Sequence, residues 1–499
     1  MVPRESDQPI VLGGRESRPQ GEGAGRSTQP AKETRAGREG TDNPVQTFLR
    51  GIAEKAKSQP KYRFRNLYGM IDEELLRDSW RDIRKDAAYG VDEVSAQEYE
   101  QNLEENIRRL VDRLKRKGYR AKLVRRHYIP KENGKLRPLG IPAVEDKLLQ
   151  LAVTRILTAI YEQDFLRCSY GYRPRIGALD AVDKLTIKLQ FGGYNWVVEA
   201  DIRGFYDNID HQWMIRMLEE RIEDRSLLRL IKKWLKAGVL DTDGKSLPWT
   251  RSRVLHPETG TPQGGIVSPI LANVYLHYAL DLWFEKVVKR QCRGEACLIR
   301  YADDFVCAFE RREDAERFYK MLGQRLGKFG LELSLEKTRV IPFSRQQPAG
   351  KNSFEFLGFE FRWGKDRAGK DHVERRTSRK KLRSSLKRFT QWCRKNRNLR
   401  LRELFARLNA KLRGYYNYYG VNGNFASLEQ FFYRAMGILK KWLNRRSQRR
   451  AYNWSGSKSI VCSRTRMLSE MEAYASSTRV ALFASLQRVE TNGGVMHAG

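Results

Sequence analysis

Two short apolar runs in this chain carry carboxylates, and few folds tolerate that. One reads Trp196-Val197-Val198-Glu199-Ala200-Asp201, and the other runs from Leu298 to Phe309 with Tyr301-Ala302-Asp303-Asp304 at its centre. Short β-branched and aromatic runs of this kind read as strands, so the second predicts a hairpin turning at the Asp pair. Adjacent Asp side chains repel each other, and ionised groups among apolar neighbours need a proton or a cation. Alone, an Asp-Asp pair is most often a solvated turn. Asp201, at the mouth of a second strand, changes that reading. With its strand beside the hairpin, Asp201 and Asp303 can share two metal ions about 3.5–4 Å apart, the arrangement that serves in-line phosphoryl displacement. Hard oxygen ligands and substrate phosphates favour Mg²⁺.

Between these segments lies Gly260-Thr261-Pro262-Gln263-Gly264-Gly265-Ile266-Val267-Ser268-Pro269. Adjacent glycines let backbone approach a ligand closely, and Ile270, Leu271, Val274, Tyr278 and Leu282 follow at helical spacing. The loop is thus expected at a helix N-terminus, which favours phosphate groups.

The order and content of the segments between about Tyr62 and Arg450 resemble a reverse transcriptase, specifically the protein encoded by bacterial group II introns. The resemblance runs through His127-Tyr128-Ile129-Pro130-Lys131, Lys135-Leu136-Arg137-Pro138-Leu139-Gly140-Ile141-Pro142 and Ser169-Tyr170-Gly171-Tyr172-Arg173-Pro174. It continues with Asp201-Ile202-Arg203-Gly204-Phe205-Tyr206-Asp207, Thr261-Pro262-Gln263-Gly264, the Tyr-Ala-Asp-Asp box, Leu333-Ser334-Leu335-Glu336-Lys337-Thr338 and Phe356-Leu357-Gly358-Phe359. It implies an α+β right-hand polymerase: fingers and a palm of antiparallel sheet plus helices, then an α-helical thumb called domain X in maturases.

The same resemblance implies a nucleotidyltransferase with a two-metal mechanism. Its metal ligands would be Asp201, Asp303, Asp304 and the backbone carbonyl of Ile202, holding two Mg²⁺ ions for which Mn²⁺ can substitute. The incoming deoxynucleotide would meet Lys131 and Arg137, folded over it by a hairpin containing Asn133-Gly134, and also Arg203, Gly204, Phe205, Tyr206, Gln263 and Lys337. Tyr206 would bar a ribose 2′-hydroxyl; Phe205 could equally be core, and Lys337 either assists the pyrophosphate or is a solvated charge. Partners would be group II intron RNA, a DNA target and primer, and deoxynucleoside triphosphates. The function implied is RNA-directed DNA synthesis with splicing and retrohoming of the parent intron. Alternatives are a reverse transcriptase recruited to host defence or sequence diversification, and a maturase that only splices.

Charge points independently to a polyanionic partner: 95 Lys and Arg against 60 Asp and Glu leave +35 over 499 residues. With no run of about 18 apolar residues and no signal-like start, the chain is expected to be cytoplasmic and without membrane contact. Six scattered cysteines do not form a disulfide framework, and Cys292 and Cys297 lack zinc-spaced companions.

Residues 1–47 contain no aromatic and are expected to be a disordered basic tail. Residues 48–120 then read as an N-terminal extension and the start of the fingers, with Leu103, Ile107, Leu110, Val111 and Leu114 on one helical face. Fingers and palm would occupy 121–373, in which Phe354–Arg362 is either the family's primer-grip hairpin or plain sheet core. The thumb would span 374–450. From Arg375 to Arg450, 23 Lys or Arg face only Glu403 and Glu429, a net of +21. Apolar stripes at Leu382, Leu386 and Phe389, and at Leu401, Leu404, Phe405, Leu408 and Leu412, place most of that charge on outer helix faces. Candidate RNA or primer–template contacts are Arg379, Lys380, Lys381, Arg383, Lys387, Arg388, Lys411 and Arg413. Tyr415 and Tyr418 either stack on bases or pack helices. The final residues, 451–499, hold one Cys and one His, too few for a zinc-bound nuclease, and read as a remnant DNA-binding segment.

Overall fold

A computed structural model describes residues 43–130, 136–241, 253–346, 352–366 and 368–446. The expected basic tail (up to 42), the C-terminal segment and Lys131 therefore lie outside the described residues.

The first helices are α1 (Pro44–Ser58), α2 (Glu73–Asp82), α3 (Ala96–Gln101) and α4 (Leu103–Lys115). Asn43, Asp72 and Ser95 each accept a backbone N–H at the start of their helix, the usual role of short polar side chains there. The tail boundary expected at 47 is thus corrected: Pro44 at the first helical position and the Asn43 cap already start α1. In α4, Ile107, Leu110, Val111 and Leu114 form the buried face.

Then follow β1 (Val124–Pro130), β2 (Leu136–Ile141), α5 (Val144–Tyr161), α6 (Ala178–Phe191), β3 (Trp196–Arg203), α7 (His211–Glu219), α8 (Arg225–Leu235), β4 (Val239–Asp241) and β5 (Arg253–Leu255). Strands β2-β1-β4-β5 form the fingers sheet, in which β1 and β4 run parallel. Helix α9 (Ser268–Leu276) continues through wider turns at His277–Asp281 and Phe284–Val288 into α10 (Lys289–Gln291).

The palm sheet is built from β6 (Ala296–Tyr301), β7 (Asp304–Phe309), β3, β8 (Glu332–Leu333) and β9 (Arg339–Pro342), with α11 (Arg312–Gly327) packed against it. Every pairing in this sheet is antiparallel. Both of its faces are covered, which is why the strands read as continuous apolar runs. Val198, Ala200 and Ile202 enter a large core shared with α5 and α9, whereas Val197, Ile299, Val306 and Ala308 enter a second core with α6 and an aromatic hairpin.

That hairpin is β10 (Phe354–Phe356) and β11 (Phe359–Lys365), extended by β12 (Asp371–Thr377). Phe354, Phe356, Phe359 and Phe361 are all buried, so it is sheet core as well as a hairpin beside the palm. The thumb is α12 (Arg379–Asn396), α13 (Leu401–Tyr419) and α14 (Phe425–Leu443), closed around Phe389, Leu404, Phe405, Leu408, Leu412 and Phe431. The architecture is the α+β arrangement expected, an antiparallel palm followed by a helical thumb. Among the described residues no helix is long and apolar enough to cross a membrane.

Candidate active site

The β6–β7 turn places the Asp pair, and the turn itself is held from below. Ala302 adopts φ +56°, a left-handed conformation that costs a non-glycine residue roughly 1–2 kcal/mol. Beneath it the Arg300 guanidinium is fully buried and every one of its N–H groups is used. Nε and Nη2 donate to the two Asp281 carboxylate oxygens at 2.7 and 2.5 Å, Nη2 to Ser169 Oγ at 2.8 Å, and Nη1 to Asn273 Oδ1 at 3.1 Å and the Ala302 carbonyl at 3.0 Å. Asn273 in turn donates to the Gly171 carbonyl at 2.7 Å. A Cβ on Gly171 would lie 2.3 Å from the Ala302 nitrogen, so only glycine lets the Ser169–Tyr172 loop close against the turn.

Register brings the carboxylates together. Asp201 of β3 stands directly opposite Asp304 of β7, on the face that meets the aromatic hairpin, with Asp303 next to them in the turn. Burial first, then the charges of Asp303, Asp201 and Glu199, push the Asp304 carboxyl up to about 7. Burial likewise raises Asp303, with Asp201 adding to it. Asp201 pairs with the exposed Lys337 ammonium at 2.7 Å, so Lys337 is a solvated charge that also reaches a site carboxylate. Ile202 is buried beside them, leaving only its backbone carbonyl to offer a ligand. Hard oxygen donors crowded in this way suit a divalent cation. Among the described residues no three His, Cys, Asp or Glu side chains are gathered as a metal-binding group.

Around this edge stand the residues expected to meet a nucleotide. Arg137 is exposed on β2, and its charge acts on both Asp303 and Tyr172. The Gln263 loop is locked to β2: the Gly140 N–H donates to the Gln263 carbonyl at 2.7 Å, and Gly264, at φ +113°, lies so close to the Gly140 carbonyl that a Cβ would meet it at 2.7 Å. Thr261 and Ser268 share a hydrogen bond at 2.8 Å and Ser268 also donates to Pro262, which ties the loop to the start of α9 as its spacing predicts. Tyr206 is buried beside Tyr172, close enough to Asp303 to feel its charge. Gly204, at φ +54°, makes the turn out of β3, and Arg203 reaches Glu332 at 3.4 Å. Phe205 is corrected: its ring is core, edge-on to Tyr206 and Tyr275, so only its backbone can face a nucleotide.

Comparison with known proteins bears on this geometry. Residues 129–361 match the family model described as "Reverse transcriptase (RNA-dependent DNA polymerase)", a span that contains all three carboxylates. The group II intron-encoded protein LtrA of Lactococcus lactis subsp. cremoris is 33% identical, over 66% of this chain and 66% of LtrA. The chain belongs to the group II intron-encoded reverse transcriptase family. Protein YkfC of Escherichia coli (strain K12) is 29% identical over 66% of this chain and 91% of its own length. An uncharacterized 91 kDa protein in the cob intron of Schizosaccharomyces pombe is 38% identical over 36% of this chain and 21% of its own. The matched part thus spans just under two thirds of LtrA.

In this group II intron-type reverse transcriptase the thumb presents Arg379, Lys380, Arg383, Lys387, Arg388 and Arg413 on exposed surface, with Lys381 and Lys411 half-buried. Two of the proposed RNA contacts are corrected. Tyr415 stacks on Phe431 with ring centroids 3.7 Å apart, and Tyr418 stacks on Phe359 at 5.7 Å, so both rings are spent inside the protein. Arg375, counted among the thumb charges, is buried against Asp183 and the Asn422 carbonyl and holds the thumb to the palm.

Of the support beneath the turn, only Ser169 falls in one of the motifs read from sequence; Arg300, Asp281 and Asn273 do not. One signal was present, since an Arg inside Leu298-Ile299-Arg300-Tyr301 must find a partner when the strand is buried. Nothing local names Asp281 as that partner.

Proposed function

We propose that this chain is an RNA-directed DNA polymerase and maturase that uses group II intron RNA as partner and template, extending a DNA 3′ end with deoxynucleotides. The observation that carries the reading is the meeting of Asp201, Asp303 and Asp304 at one edge of the palm sheet. Asp201, Asp303, Asp304 and the Ile202 carbonyl would hold two Mg²⁺ ions. When bound, Mg²⁺ lowers the pKa of the attacking 3′-hydroxyl and offsets charge on the leaving pyrophosphate. Arg137 stands where it can grip the triphosphate with its planar fork, and Gln263 is fixed by Gly140 at the edge where the sugar and base would lie. Tyr206, buried beside Tyr172, would bar a ribose 2′-hydroxyl. Lys337, paired with Asp201 at the mouth of the site, would meet the leaving pyrophosphate there.

The test is primer extension by the purified chain on an RNA template, together with splicing of the RNA that co-purifies with it. Activity in Mg²⁺ that EDTA abolishes, and faster splicing with protein than without, are expected. No extension, with splicing intact, would leave a splicing factor only.

The thumb surface makes its own prediction. Replacing Arg379, Lys380, Arg383, Lys387 and Arg388 with Gln should flatten the dependence of log affinity on log salt by about 0.7–0.9 for each of these residues that contacts a phosphate. An unchanged slope in filter-binding titrations would place the RNA elsewhere.

A further inference from the structure

The turn between β10 and β11 is strained in the same sense as the catalytic turn it faces. Leu357, whose side chain packs against the second core, adopts φ +50°, and Gly358 follows at φ +82°. Left-handed backbone at a non-glycine residue persists only where surrounding contacts over-determine it. Those contacts come from the base of the thumb. The Tyr418 hydroxyl, in the last turn of α13, donates to the Leu357 carbonyl at 2.8 Å. The Ser378 N–H donates to the Gly358 carbonyl at 3.0 Å, and a Cβ on Gly358 would come within 3.1 Å of the Tyr419 hydroxyl.

The other side of the same turn faces the carboxylates. Strand β10, which ends in this turn, lies against β7, the strand that begins with Asp304. The thumb thus holds, through the Leu357 carbonyl, a strained turn whose strand packs against the one that carries a proposed metal ligand. The thumb end of this connection is itself locked. Asn424, fully buried, accepts the Thr377 N–H at 2.8 Å and donates to Thr377 Oγ1 and to the Tyr419 carbonyl, each at 2.8 Å.

We propose that Tyr418 is a positioning residue for nucleotide addition, holding the Leu357-Gly358 turn and its strand against the β7 strand that starts at Asp304, and thereby linking the seating of the thumb to the geometry of the carboxylates. This rests on the assignment of Asp201, Asp303 and Asp304 as catalytic. The Tyr418 ring is occupied by Phe359, so the hydroxyl is the part of this side chain left to act, and its effect falls on placement of a reacting group rather than on RNA affinity.

Tyr418→Phe keeps the ring stack and removes only the hydroxyl. Single-nucleotide addition on a pre-bound RNA template–DNA primer should slow about tenfold, while KM for the deoxynucleotide and the affinity for RNA stay within about twofold. Changing Leu357 to Gly in the Tyr418→Phe protein should recover part of the rate, because glycine adopts the left-handed conformation without the steric cost that leucine meets there. A Tyr418→Phe enzyme with wild-type rate overturns the proposal. So does parallel loss of rate, RNA affinity and melting temperature, which marks a structural role, and so does a double variant no faster than the single one. Wild-type and Asp303→Asn proteins run alongside: a wild type without activity, or an active Asp303→Asn, fails the catalytic assignment itself, whereas a wild-type-like Tyr418→Phe beside an inactive Asp303→Asn fails only this link.

Discussion

Asp303→Asn should reduce primer extension on an RNA template by on the order of 10³-fold or more, since charge stabilisation by a bound metal ion contributes several kcal/mol to such a transition state. RNA affinity, measured by filter binding, should hardly change, because the basic thumb face is built from other helices. The folded state should gain rather than lose stability. Asp303 is raised above its ordinary pKa by burial and by Asp201, and its charge helps to raise Asp304, so an uncharged isostere relieves that repulsion. Inactive protein with an equal or higher melting temperature is the expected pair of results. Joint loss of extension, RNA binding and thermal stability would mean that Asp303 is structural.

The support beneath the turn should behave in the opposite way. Arg300 and Asp281 are both fully buried and engage through two hydrogen bonds. Asp281→Asn leaves the guanidinium with an uncompensated charge in the core, and breaking a buried pair in this manner costs about 3–5 kcal/mol. Chemical denaturation should show this as a lower midpoint with an unchanged slope. Replacing both partners together, Arg300→Met with Asp281→Leu, removes the uncompensated charge and should recover much of the stability. Extension should still be impaired in that double variant, because the Ala302 carbonyl loses the donor that holds its strained turn. A double variant with full polymerase activity would show that the turn needs no such support.

Much of the site was legible before any coordinates because its chemistry is written in local pattern. The apolar run interrupted by Asp303-Asp304 becomes β6, a turn and β7, and the run ending at Asp201 becomes β3. The apolar stripes of the thumb are its buried faces. Phe205 shows where local reading stops: two adjacent aromatics follow the strand, and which of them lines the site depends on what α9 packs against. Tyr415 and Tyr418 are a second instance. Aromatics among basic residues read equally as base-stacking or as packing, and the choice fell to Phe431 and Phe359, which lie distant in sequence or on another element.

Residue types and their spacing thus determined by themselves that this chain would carry carboxylates on a buried antiparallel sheet and a strongly basic helical thumb, since strand periodicity, helix stripes and charge are local properties. Only the tertiary structure decided what holds those carboxylates in place. The side-chain partners of Arg300 come from the Ser169 loop and from the helix that carries Asn273 and Asp281, and the Leu357 turn joins Tyr418 of the thumb to the palm strand that begins with Asp304. A buried charge or a strained residue announces in sequence that it must be compensated, but its partners are set by chain topology, which no local window contains.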